Sequence, residues 1–153
     1  MHWLELKVPP PIVGLAVAGL MWVLARAVPG AGFELPAHRT IGVLFAVAGA
    51  CIDLAGLVSF RRARTTINPL KPQASSALVS SGIYRYTRNP MYLGMLAILI
   101  GWGIWLANAA AIASCALFVA WINRFQIGPE ERVLSRFFGE AFADYTKRVR
   151  RWL

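Results

Sequence analysis

Four long apolar runs, set apart by short polar or Pro/Gly-marked stretches, organise the chain. They are Ile12–Val28, Ile41–Phe60, Met91–Ala107 and Ala109–Ile127. The last reaches spanning length only through the polar extension Asn123, Arg124, Phe125 and Gln126. A bilayer core of ~30 Å takes about 20 helical residues. Backbone in lipid must satisfy its own hydrogen bonds, so the runs predict helices. The link Leu106–Ala109 is so short that the last two should form an antiparallel hairpin. The first run reads as a retained helix rather than a leader: it is long for a signal core, and Glu5 offsets Lys7 before it.

After the fourth run, Gly128-Pro129-Glu130-Glu131 reads as a helix start, with Pro in the first turn and acids beside it. Leu134, Phe137, Phe138, Ala141, Phe142, Tyr145, Val149 and Trp152 then recur at three- and four-residue steps. Charged residues fill the other side, with Arg136–Glu140 and Asp144–Arg148 as i,i+4 pairs. This predicts an amphipathic helix over about 129–150 on the cytoplasmic membrane surface. The expected fold is a single all-α integral membrane domain, residues 1–153. It has four transmembrane helices (about 12–28, 41–60, 91–107 and 109–127), a cytoplasmic segment (about 61–90) and the C-terminal helix.

Composition agrees. The chain is 58% hydrophobic and only 15% charged, which excludes a disordered chain, a disulfide scaffold and an ordinary soluble enzyme. Cys51 and Cys115 both lie inside apolar runs and read as buried free thiols, and no metal-ligand spacing is present. The net charge is +9. Thirteen of the sixteen Lys and Arg fall in two segments, Arg61–Arg88 and from Arg124 onward. They do not follow one polar face, which argues against nucleic acid as a partner. Two helices separate the segments, so both lie on one side, and the positive charge makes that side cytoplasmic. In a bacterium the membrane would be the inner one.

Two features inside the runs are polar or small. Gly42, Gly49 and Gly56 form a stripe, which favours helix packing over a cofactor groove. Asp53 reads equally as a functional carboxylate or as a polar tie to a neighbouring helix or cavity. Trp22, Trp102, Trp105 and Trp121 read as interface anchors.

Thr65–Tyr92 is rich in Asn, Ser, Thr, Tyr and Arg. Arg88-Asn89-Pro90 opens the third helix, where an arginine, an amide and free helix N–H groups suit a carboxylate. Glu130-Glu131 supplies the opposite charge on the same face. A ligand with both a carboxylate and an ammonium group matches this pattern; a plain loop and cap with solvated charges is the alternative.

Gly82-Ile83-Tyr84-Arg85-Tyr86-Thr87-Arg88-Asn89-Pro90-Met91-Tyr92-Leu93-Gly94 resembles the G-x-Y-x-x-x-R-H-P-x-Y-x-G signature of the isoprenylcysteine carboxyl methyltransferase family, shared by membrane phospholipid N-methyltransferases. Pro129-Glu130-Glu131, followed by Phe137-Phe138-Gly139 and Tyr145, resembles the family's C-terminal element. The resemblance covers about Thr65 to Leu153. It implies an integral membrane methyltransferase that uses S-adenosylmethionine and leaves S-adenosylhomocysteine. Tyr84, Arg88, Pro90, Tyr92, Glu130 and Glu131 match cofactor-holding positions by this resemblance, and Leu78 and Val79 fall where the family places cofactor-contacting backbone. Asn89 stands where the family has His: it can hydrogen-bond but not carry charge. Arg124 is the counterpart of the arginine that faces the acceptor.

The function this implies is methyl transfer at the cytoplasmic membrane face to a lipid or lipid-linked carboxylate, amine or thiol, with the bilayer and a lipophilic acceptor as partners. His2 and His38 lie outside both elements, which favours an acceptor that is already nucleophilic. Two other readings stand beside it: an NADPH-dependent membrane reductase of sterol-reductase-like architecture, and a small non-enzymatic four-helix transporter or scaffold.

Overall fold

The computed structural model describes residues 4–62 and 78–153. Part of the expected cytoplasmic segment, with Arg64 and Lys71, lies outside the described residues. The helices are α1 (Pro10–Ala27), α2 (His38–Arg62), α3 (Pro90–Trp105), α4 (Ala109–Ala113), α5 (Cys115–Ile122) and α6 (Gly128–Arg148). Short 3-10 turns cover Pro29–Ala31 and Gly82–Arg85. A π-helical turn, Asn123–Ile127, joins α5 to α6. α1, α2 and the helical path Ala109–Arg148 are long and apolar enough to cross a membrane, and α3 is a shorter apolar helix.

The glycine stripe packs α2 on α3. A methyl on Gly49 would lie 2.5 Å from the Gly94 carbonyl oxygen, and one on Gly42 2.6 Å from that of Gly101. Gly56 faces Pro90 and Met91. Burial from water adds little to helix association in lipid, so close backbone approach supplies the attraction. The opposite face of α2 stays uncovered: Leu44, Val47 and Leu54 are more than half exposed. Cys51 is exposed as well, which corrects the expectation of two buried thiols; of the two, Cys115 is buried. Asp53 borders Gly94 on the packed side, and its Oδ1 is buried with no hydrogen-bond partner among the described residues.

A second core joins α1, α3 and the α4–α5 arm. Val13, Val17, Met21, Leu99, Ala111, Cys115, Phe118, Ile122 and Ile127 form it. Trp102 donates its indole N–H to the Ala18 carbonyl at 3.2 Å, so it ties α3 to α1. The α3–α4 link closes as expected for a hairpin. Ala107 takes φ 50°, and Asn108 caps α4 by accepting from the Ala111 N–H at 3.0 Å. The Asn108 amide also donates to the Val28 carbonyl at 2.9 Å, which fastens the end of α1.

Pro129 does not begin a separate helix after a gap. It lacks an N–H, and in a regular helix its ring would press on the carbonyl four residues back, that of Phe125. The π turn absorbs the conflict by an i→i+5 bond from the Gly128 N–H to the Asn123 carbonyl. The freed Phe125 carbonyl accepts the Leu6 N–H at 3.0 Å. Gln126 donates to the Val8 carbonyl at 2.6 Å, so the segment before α1 docks on this turn.

α6 is not straight. Gly139 sits at φ 49°, ψ −121°, and splits it. Twenty helical residues would place Arg151 about 30 Å from Glu131. The two are instead in direct contact, so the chain doubles back. Phe142, Tyr145 and Val149 then pack with Leu78, Leu134 and Phe138 in a small core of their own. The break falls between Arg136 and Glu140, and the Asp144 carboxylate pairs with Lys147 at 2.9 Å while the Arg148 Nε donates to the Asp144 backbone carbonyl at 3.3 Å.

Candidate functional site

The starts of α3 and α6 meet at one end of the bundle. Pro90 opens α3 and is fully buried. It faces Gly56, which leaves room for the ring. Two residues on, the Tyr92 hydroxyl donates to Glu130 Oε1 at 2.6 Å. That bond joins the two elements of the sequence signature. Burial pushes the Glu130 carboxyl up to about 7; the Tyr92 bond opposes the shift and the neighbouring Glu131 adds to it. A buried carboxylate with one hydroxyl partner is poorly paid for, and a cation beside it would hold it ionised.

Glu131 is occupied differently. Its Oε1 lies 3.2 Å from the Arg88 guanidinium. Arg151 grips both oxygens, through Nε on Oε1 at 3.1 Å and through its terminal nitrogen on Oε2. The bond raises the Arg151 guanidinium above its ordinary value. Arg88 keeps a buried Nε–H without a partner among the described residues. An unmet buried donor is costly, so this group invites an acceptor.

The remaining signature residues frame this pair. The Asn89 amide donates to the Arg151 carbonyl at 2.9 Å, and its backbone N–H donates to Thr87 Oγ1 at 3.2 Å. The Tyr84 carbonyl accepts the Tyr145 hydroxyl at 2.7 Å. Both phenols are buried: that of Tyr145 is pushed up to about 12 although Arg88 lowers it, and that of Tyr84 is raised by burial first and by Tyr145 next. Gly82, at φ 62°, turns the chain against Ser59, and Tyr84 meets Phe60 edge-on at 5.3 Å. Val79 is buried and Leu78 packs on the small core under the doubled-back helix. An open cleft of about 450 Å³ borders Glu131 and is lined also by Gly128, Arg132, Ser135, Arg136 and Phe142.

The structure therefore brings Tyr84, Arg88, Asn89, Pro90, Tyr92, Glu130 and Glu131 to one end of the bundle, with Leu78 and Val79 beside them. Arg124 makes none of these contacts. It sits in the π turn, about half exposed, on Glu5 at 3.1 Å, and Arg132 holds the same carboxylate. Arg151 is the residue that the sequence did not single out. Among seven basic residues from Arg124 onward, nothing in its spacing set it apart; the signal was the glycine at 139, which permits the reversal.

The family model for phospholipid methyltransferase matches residues 37–141. Protein-S-isoprenylcysteine O-methyltransferase of Homo sapiens is 32% identical over 108 residues, 71% of this chain and 38% of that protein. The A form from Arabidopsis thaliana is 28% identical over 108 residues, 71% of this chain and 55% of that protein. An uncharacterized protein of Haemophilus influenzae is 44% identical over 63 residues, 41% of this chain and all of that protein. The match thus spans between about a third and about a half of the two methyltransferases' own length. It includes α2, α3 and the start of α6, which carry both halves of the site. The chain belongs to the phospholipid methyltransferase family.

Proposed function

We propose that the chain transfers a methyl group from S-adenosylmethionine to a lipid or lipid-linked acceptor at the cytoplasmic face of the membrane. One observation carries this reading. A buried Arg88 Nε–H without a partner among the described residues and a partly buried Glu130 carboxyl stand at the same end of the bundle, joined through Glu131 and Tyr92. They fit a ligand that carries both a carboxylate and a cation. Arg88 would take the carboxylate and Glu130 the cationic part, while Glu131 is already bridged by two arginines. When bound, S-adenosylmethionine supplies a methyl group that its sulfonium makes electrophilic.

The chain's own work is then to orient and to keep water out. Tyr92 aims Glu130, Pro90 and Gly56 hold the start of α3, and the Tyr145–Tyr84 bond closes the doubled-back helix over the site. A lipid acceptor that stays in the bilayer avoids losing ~0.8 kcal/mol per CH₂. Arg124 stands in the π turn that precedes Glu130 along the chain, and its half-exposed guanidinium suits an anionic head group that exchanges with Glu5.

The test is calorimetric titration of the purified protein in lipid nanodiscs with S-adenosylhomocysteine and, separately, with NADPH. Binding of the first and not the second is expected. Glu130→Gln should weaken it roughly tenfold or more, the worth of one charge-assisted bond. A native protein that binds NADPH instead, or neither, overturns the reading. A labelled methyl donor followed by lipid mass spectrometry then identifies the acceptor.

A further inference from the structure

Residues 149–152 leave α6 and run across the opening of α3. Val149 is extended, at φ −123° and ψ 130°. The Arg150 carbonyl accepts the Arg88 N–H at 3.0 Å. The Arg151 carbonyl accepts the Asn89 amide at 2.9 Å and the Thr87 hydroxyl at 3.4 Å. The Trp152 indole donates to Asn123 Oδ1 at 3.1 Å, which reaches the π turn. A short segment thereby touches Thr87, Arg88, Asn89, Asn123 and Glu131. Such a density of bonds fixes the Arg151 guanidinium in place.

Its charge matters as much as its position. Arg88 and Glu131 alone sum to zero, and Glu131, which lies 3.2 Å from Arg88, would neutralise it. With Arg151 gripping both Glu131 oxygens, the three residues sum to +1. The Arg88 Nε–H, buried and unmet among the described residues, is then the donor left over. A guanidinium fork matches a carboxylate bidentately and an ammonium does not.

We propose that Arg151 is a positioning residue for the ligand site: it shares Glu131 with Arg88, takes up the charge that would otherwise neutralise Arg88, and so leaves Arg88 able to bind an anionic group. The inference rests on the proposed use of Arg88 for the carboxylate of S-adenosylmethionine, and it goes beyond it by giving Arg151 and Glu131 their roles.

The two-by-two set of native, Arg151→Ala, Glu131→Gln and the double variant tests it, with S-adenosylhomocysteine as the titrant in nanodiscs. Thermal melts without ligand report folding. Arg151→Ala should weaken binding about tenfold. Glu131→Gln alone removes the carboxylate that both arginines share and sets the reference affinity for the pair. In the double variant the affinity should rise from that of Arg151→Ala to that of Glu131→Gln alone, because the Glu131 carboxylate that would capture Arg88 is gone. A purely structural Arg151 would give losses that add, not cancel. Where Arg151→Ala does not fold, Arg151→Lys takes its place in the set: it keeps the charge and loses the fork, and Glu131→Gln should again restore binding. Equal affinity of the single Arg151 variant and the native protein, or a double variant no better than the single, overturns the proposal. A native protein that does not bind S-adenosylhomocysteine overturns the functional reading instead, so the two failures are separate.

Discussion

Glu130 shows how a single side chain trades stability for binding. Its carboxyl is pushed up to about 7 chiefly by burial, so the folded protein favours the neutral acid. A group raised in this way contributes stability that is complete below the ordinary glutamate value. That contribution disappears as pH rises through about 7, on the order of 3 kcal/mol in all. The ligand-free native protein should therefore melt at a lower temperature at pH 8 than at pH 5. Glu130→Gln should flatten that dependence and melt higher at pH 8. S-adenosylhomocysteine affinity should run the other way and tighten as pH rises through 7, where the carboxylate becomes available to a cation. Parallel melts and titrations from pH 5 to 8 check both slopes, and identical slopes for the native and variant proteins would remove Glu130 from the account. At this scale the sequence was partly readable. Tyr92 and Glu130 were legible because each lies in a motif of fixed spacing. The division of labour between Glu130 and Glu131 was not, because it depends on Arg151, which reaches Glu131 only after the chain reverses.

Among the elements, α6 depends on one backbone conformation. Gly139, at φ 49° and ψ −121°, occupies a region that side chains avoid, while a methyl there would meet nothing within 4 Å. Gly139→Ala should thus cost backbone strain alone, about 1–3 kcal/mol. It should lower the melting temperature and loosen the Tyr145–Tyr84 contact while leaving helix content by circular dichroism almost unchanged. A variant that melts with the native protein would show that the reversal tolerates a side chain. The first three apolar runs overlap α1, α2 and α3, because length and hydropathy are local properties, whereas the single fourth helix expected over 109–127 is divided into α4, α5 and the π turn. The 3.6-residue periodicity of 134–152 also continues across Gly139, so the sequence reads as one straight helix. Periodicity reports which face is apolar, and it is blind to a change of axis direction. The same limit hid the π turn: Pro129 looked like a beginning, whereas helical backbone runs up to it and on through it.

For the molecule as a whole, the charge asymmetry is the ground for proposing that 61–88 and the residues from Arg124 onward face the cytoplasm. In a Cys51→Ala/Cys115→Ala background, a cysteine at Glu34 should react with a membrane-impermeant maleimide in intact cells. One at Arg136 should react only after permeabilisation, and the reverse pattern would invert the topology and move the site to the other side. The π turn has a consequence for how length changes are tolerated. An i→i+5 turn stores one residue more than an i→i+4 turn, so it is slack in the chain. Deleting Arg124 uses up that slack and keeps the rotation of α6 against α5, but it brings the Pro129 ring back onto the Phe125 carbonyl, so the variant should melt at a lower temperature than the native protein. Glu130 should stay on Tyr92, and S-adenosylhomocysteine should still bind even if methyl transfer is lost with the arginine. Deleting Ser135 draws on no such slack. Everything beyond it turns by about 100°, Tyr145 leaves Tyr84, Arg151 leaves Glu131, and binding should go with them.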